Sequence, residues 1–195
     1  MEDVPDKAAR GRPRDPALDD KILGVTAELL VELGWDGLTM RAVAERAGVS
    51  LATIYRRWPT KTDLAIGTFE SVLAPLGDAI RRGSADSVPT GDVLAAMGVL
   101  LAEHIALLPV VLVAQQSDPA LSELFLDKVI GPFRAALVDQ LRQRAGPRAD
   151  DTLVGVLADL GPALFVLRAA ILGERIDAGA LAALAGVIDA ALGAR

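Results

Sequence analysis

No cysteine occurs among the 195 residues, which rules out a disulfide framework, a thiolate zinc site and a cysteine nucleophile. Histidine is almost missing as well. His104 is the single one, so the chain offers no histidine set for a transition metal, and neither metal nor cofactor is expected. Long uncharged runs are also lacking. The longest stretch without Asp, Glu, Lys or Arg lies between Glu103 and Asp118, is too short to span a bilayer, and carries Pro109, Gln115 and Gln116. The first residues are acidic and then basic, without the apolar centre of a signal peptide. These absences lead us to expect a soluble, cytoplasmic protein with no membrane partner. No Gly-rich phosphate loop, no strand-like alternation and no repeat is present, so the expected fold is all-α.

What the chain does have is apolar content, 52% of residues, enough for a substantial core at this length. The net charge of −6 looks unfavourable for a polyanionic partner. Its distribution matters more. From Arg10 to Lys61 nine Lys and Arg stand against seven Asp and Glu, and the excess of acid lies after Lys61. Binding to nucleic acid depends on charge close to the phosphates, so a locally basic end suffices.

The densest set of local signals runs from Leu38 to Leu64. Thr39 suits a helix N-cap, its hydroxyl accepting an N–H that the helix leaves unpaired. Val43, Ala44 and Ala47 follow at helical spacing, with Arg41, Glu45 and Arg46 on the other face. Gly48 stands where a helix ends in a left-handed residue. Val49 plugs the turn, and Ser50 caps a second helix from Leu51 to Trp58. Ile54 points back at Val43 and Ala44, leaving Thr53, Arg56 and Arg57 on the free face with Tyr55 beside them. A short helix held at a fixed angle by small-residue contact is a helix-turn-helix, whose free face fits a major groove. Thr60 and Asp63 form a capping box for the next helix, whose exposed N-terminus, with Lys61 in its first turn, suits a phosphate.

The run T-x-R-x-V-A-x-x-A-G-V-S-x-x-T-I-Y-x-x-W-x-x-K-x-x-L, from Thr39 to Leu64, closely resembles the DNA-binding domain of the tetracycline-repressor (TetR) family. It departs where that family often has His or Tyr before the aromatic, since Arg57 precedes Trp58 here. The resemblance implies a homodimer on a palindromic operator in double-stranded DNA. Leu51, Thr53, Arg56 and Arg57 are then expected at base edges and Thr39, Tyr55 and Lys61 at phosphates, with Arg41 and Ser50 also in the contact set.

Residues 1–14 read as a flexible basic arm. Arg10-Gly11-Arg12-Pro13-Arg14 is narrow enough for a minor groove and equally readable as a solvated tail; the neighbouring motif favours DNA contact. Asp15 and Pro16 start a first helix with an apolar stripe of Leu18, Ile22, Val25, Leu29 and Leu33, closed by Gly34 and Gly37, with Trp35 as a packing anchor. A DNA-binding domain of residues 15–64 follows, and residues 65–195 form a helical effector-binding and dimerisation domain. A helix from Lys61 to about Arg82 is expected to kink or end at Pro75 and to give way to a polar loop from Gly83 to Pro89. Later helices are expected over Gly91–Leu108, Val110–Gln116, Pro119–Ala145, Asp151–Leu172 and Ala178–Leu192, capped by Thr90, Asp118, Asp150 and Asp177.

Leu153, Leu157, Leu160, Leu164, Leu167 and Ile171 make a heptad-like seam, and Leu181, Leu184, Ile188 and Leu192 a second stripe. Both stripes suit either an internal core or a four-helix dimer interface, and the resemblance favours the dimer. It also implies a pocket for a small apolar or amphipathic effector between head and dimer helices. His104, Gln115, Gln116, Phe125, Phe165 and Arg168 are the residues proposed to line it, with Phe133 in core or wall. Two other readings are open to the sequence: a regulator without a ligand, and a helical enzyme using His104. The enzyme reading finds no positioned base and nucleophile, so no catalytic residue is expected.

Overall fold

The computed structural model describes residues 15–86, 89–146, 150–174 and 177–193, and among them the chain forms ten α-helices and two short π-helical turns, without strands. Helix α1, Pro16–Gly37, starts where Asp15 accepts the Ala17 N–H at 3.1 Å. Its inward face carries Ile22, Leu29 and Leu30, and with them Thr26, whose hydroxyl donates to the Ile22 carbonyl at 2.8 Å. The expected stripe drifts at its end: Leu33 is exposed and Leu30 is buried in its place. Gly34, at φ +70°, breaks the helix and turns Trp35 inward.

Helices α2, Met40–Ala47, and α3, Leu51–Arg57, follow closely the sequence reading. Thr39 accepts the Ala42 N–H and Ser50 the Thr53 N–H, each at 3.1 Å. Between them Gly48 adopts φ +69°, a conformation that a Cβ would strain, and the Val49 N–H returns to the Ala44 carbonyl at 3.0 Å.

Helix α4, Lys61–Asp86, does not end at Pro75, and it corrects one expectation by extending into the stretch from Gly83 that reads as loop. Burial of Leu76 and Ile80 beyond the proline keeps it going despite the lost N–H. Helices α5, Thr90–His104, and α6, Leu107–Ser117, separate at Ile105 and Ala106 rather than at Pro109. Pro109 belongs to the first turn of α6, where a backbone N–H has no helical acceptor to lose. Thr90 is not a cap either. Pro89 holds that position, and the Thr90 hydroxyl donates to Asp189 at 2.6 Å and accepts from Arg144.

Helix α7, Pro119–Phe125, runs through a π turn, Leu126–Ile130, into α8, Gly131–Ala145, which carries Pro132 in its first turn. Helix α9, Asp151–Phe165, contains Pro162 and continues as a second π turn, Val166–Ile171; α10 is Ala178–Gly193. Asp118, Asp150 and Asp177 cap α7, α9 and α10 as expected. The 21 residues from Asp151 to Ile171 are as long and apolar as a membrane span, but this helix packs on α8, and its Asp159 pairs with Arg134 there at 2.7 Å.

Two apolar cores result. The first joins α1–α3 and the start of α4 to Leu107, Val111 and Ala114 of α6 and to Leu121 and Phe125 of α7. The second holds Leu76 and Ile80 of α4 with α5, α8, α9 and α10. The last two helices do not lean chiefly on each other: α9 packs mostly on α8, and α10 on α5.

Candidate nucleic-acid interface

Helix α3 is fixed from three sides, and that determines which of its residues are free. Ile54 is fully buried between α1 and α2, and Trp58 closes the helix against α4. The approach to α4 is close, since a Cβ on Gly67 would stand 2.7 Å from the Trp58 indole nitrogen. On the outer side Leu51, Tyr55 and Arg56 are exposed. Thr53 is half-buried and shares a 2.8 Å hydrogen bond with the Ser50 hydroxyl.

Arg57 does not share that face, which corrects the sequence reading. Its side chain is 8% exposed and forms an ion pair, donating through Nε to Asp19 on α1. The two groups are 38 residues apart, so no local pattern announced them. Arg57 thereby anchors α3 to α1 instead of facing outward.

Lys61 is also engaged. Its ammonium donates to the Trp35 carbonyl at 3.0 Å and sits 4.2 Å from the centre of the Trp35 ring, a cation–π arrangement. Two N–H bonds of the ammonium remain for another acceptor. Behind it Thr60 and Asp63 form the reciprocal box: the Thr60 N–H donates to the carboxylate at 3.1 Å and the Asp63 N–H to the hydroxyl at 3.0 Å.

On α2, Arg41 lies in the open with Glu45 at 2.8 Å, and that pairing holds its pKa above the ordinary value. Arg46 grips Glu32 of α1 through two 3.0 Å hydrogen bonds, tying α2 to α1. Thr39 spends its hydroxyl on the cap yet remains exposed. Arg10, Arg12 and Arg14 lie outside the described residues. The structure thus brings Leu51, Tyr55, Arg56 and Arg41 to the outer surface of the two small helices. Asp19, Glu32 and Trp35 hold the charged partners, and sequence reading missed all three roles.

Of the six residues expected around a pocket, His104, Phe125 and Phe165 line a cavity of about 150 Å³ between α4, α5, α6 and the α9 region. Gln115, Gln116 and Arg168 do not line it; Arg168 stands 3.9 Å from Glu174 instead. Leu73, Leu108, Val111 and Phe133 complete much of the wall. Phe69 and Phe125 meet there edge to face, centroids 5.3 Å apart.

The residues expected at a dimer seam divide. Leu157 and Ile188 are buried in the chain's own second core, and Leu153, Leu160, Leu181 and Leu184 pack partly against it. Leu164 is half-buried, whereas Leu167 and Ile171 are exposed. The π turn explains part of this, because an extra residue in the turn moves a counted heptad off its face. Val156 and Val187, at 53% and 57% exposure, are the outward apolar residues the heptad count missed.

Comparison with known proteins agrees with this geometry. The family model for bacterial regulatory proteins of the tetR family matches residues 22–67. An HTH-type transcriptional regulator of Mycobacterium tuberculosis is 31% identical over 171 residues, covering 82% of each chain. The DNA-binding transcriptional repressor TetR of Mycobacteroides abscessus is 31% identical over 164 residues, covering 77% of this chain and 80% of that one. Among solved structures, a TetR-family member from Streptomyces coelicolor A3 superposes with a TM-score of 0.68 at 17% identity, covering 90% of this chain and 98% of its own. The transcriptional regulator FadR from Bacillus subtilis, solved with stearoyl-CoA, gives 0.65 at 18% identity, with 89% and 97% covered. With its all-α fold and the helix-turn-helix at residues 40–57, this chain belongs to the tetracycline-repressor family of DNA-binding transcriptional regulators.

Proposed function

We propose that the protein is a cytoplasmic, homodimeric repressor that leaves a palindromic operator when a small apolar or amphipathic effector binds. Residues 15–64 would address DNA, residues 65–195 would sense and dimerise, and residues 1–14 would reach the adjacent minor groove. The observation that carries the reading is the position of the cavity. Its wall includes Phe69 of the first core's α4 segment, Leu107 and Val111 of α6, and Met97 and Phe165 of the second core. A molecule that favours one spacing of these helices moves α6, which packs on α1, and so biases the DNA-binding end.

In this reading Arg56, Leu51 and Thr53 meet base edges, while Tyr55, Thr39, Arg41, Ser50 and Lys61 serve the backbone. Two such helices in a dimer would meet the duplex about 34–36 Å apart. Val156, Leu167, Ile171 and Val187 supply the outward apolar face for the second copy.

The first experiment selects bound DNA from a random pool and then compares Arg56→Ala with Lys61→Ala on the selected site. Arg56→Ala is expected to lose roughly 1–3 kcal/mol and relax the preference at one position; Lys61→Ala is expected to weaken all sequences alike and reduce the salt slope by about one. Equal, sequence-blind losses contradict the assigned roles. A monomer without preference among oligonucleotides at moderate salt overturns the whole reading.

A further inference from the structure

The chain contains only four phenylalanines, and all four line the one cavity described above: Phe69, Phe125, Phe133 and Phe165. They come from α4, α7, α8 and α9, from positions up to 96 residues apart in sequence, and a general apolar core would not need to gather them. Apart from His104, every described residue at the wall is apolar, and no charged side chain is among them. His104 is half-buried at the last turn of α5. The space of about 150 Å³ is comparable to an engineered apolar cavity that admits benzene.

Each feature selects a ligand property. Ring edges and faces that already meet edge to face, as Phe69 and Phe125 do, attract a further aromatic ring more than a saturated one of equal size. A wall without charge penalises an ion, whose lost hydration nothing there replaces. A single imidazole offers one hydrogen bond, to a hydroxyl or carbonyl oxygen, and so fixes an orientation. Resting on the effector reading for its biological role, but not for its chemistry, we propose that this cavity takes up an uncharged single-ring aromatic molecule carrying one hydroxyl, held by His104.

The test measures calorimetric binding of four probes to the full chain, without DNA, at neutral pH: 4-ethylphenol, ethylbenzene, 4-ethylcyclohexanol and 4-ethylbenzoate. The phenol is expected to bind tightest, with ethylbenzene about three- to tenfold weaker for want of one hydrogen bond. The saturated alcohol is expected to be weaker by a few-fold, and the benzoate by at least about tenfold. His104→Leu should erase the preference for the phenol over ethylbenzene while leaving ethylbenzene bound. Val111→Phe, which fills the space, should abolish binding of all four; Ile105→Phe, at a half-buried wall position, serves the same purpose if the first variant fails to fold.

Tightest binding of the benzoate, no binding of the phenol, an unchanged phenol preference in His104→Leu, or binding that survives a folded filled variant each overturn the proposal. A separate titration with operator DNA distinguishes the two readings. If the phenol binds as described but leaves DNA affinity unchanged, the site stands and its role as an effector site falls.

Discussion

Around α2 and α3 every helix start is fixed by a side chain, and the charged groups reach back to α1. Thr39, Ser50 and the Thr60–Asp63 box supply the caps, while Arg57–Asp19, Arg46–Glu32 and Lys61–Trp35 supply the ties. The region around the cavity is built differently. Helices α5 and α6 start without a side-chain cap, π turns replace regular ones, and the wall is almost wholly apolar. Directional bonds fix how α2 and α3 sit on α1, whereas the contacts around the cavity are non-directional.

That contrast can be broken most forcefully at Arg57. Arg57→Ala removes the buried guanidinium that pairs with Asp19 and ties α3 to α1, and is expected to cost roughly 3 kcal/mol in urea unfolding. A loss near zero for the single change would mean that the head is not held by its polar ties. A smaller effect is expected from the cap. Thr39→Ala should destabilise by about 1 kcal/mol by thermal or urea denaturation.

In the body the polar rule works the other way. Gln140 is buried in the second core, and its Nε2 has no hydrogen-bond partner among the described residues. Gln140→Leu is therefore expected to be neutral or stabilising by up to about 1 kcal/mol in the same assay. A clear loss would show that this region is matched as closely as the head.

The smallest expected effect concerns pH. The hydrogen bonds from Arg46 hold the Glu32 carboxyl below its usual 4.5, so the unfolded chain takes up this proton first as pH falls. The stability contributed by Glu32 is thus complete above 4.5 and disappears as pH drops through the lowered value. Glu32→Gln should flatten the acid end of a plot of unfolding midpoint against pH and leave the neutral end unaltered. An identical slope in both proteins would show that the tie to Arg46 is not formed in solution.

Legibility in the sequence followed the same division. Asp15, Thr39, Gly48, Ser50 and Thr60 announce helix ends through bonds to residues two to four positions away, so their neighbours in sequence suffice to place them. In the body, apolar residues occur on several faces of each helix, and periodicity has too little contrast to say which face is inward. Leu157 and Ile188 belong to stripes that suit either a core or a dimer seam and are buried in the chain's own core, whereas Val156 and Val187 beside them are exposed. Pro109 reads as a break but fits a first helical turn, and α4 runs on past Pro75 with Leu76 and Ile80 buried beyond it. Of the residues expected at a pocket, His104, Phe125 and Phe165 line the cavity and Gln115, Gln116 and Arg168 do not, because polarity within an apolar helix does not reveal its direction.

The sequence by itself determined the helical class, the helix-turn-helix and the positions of most caps, because each rests on short-range hydrogen bonding and on the twofold choice between an apolar and a polar face. Only the tertiary structure decided that Arg57 turns inward to Asp19, that Lys61 lies on Trp35, and that four phenylalanines meet at one cavity. Those pairings join residues far apart in the chain, and their partners are selected by how whole helices pack, which no local pattern encodes.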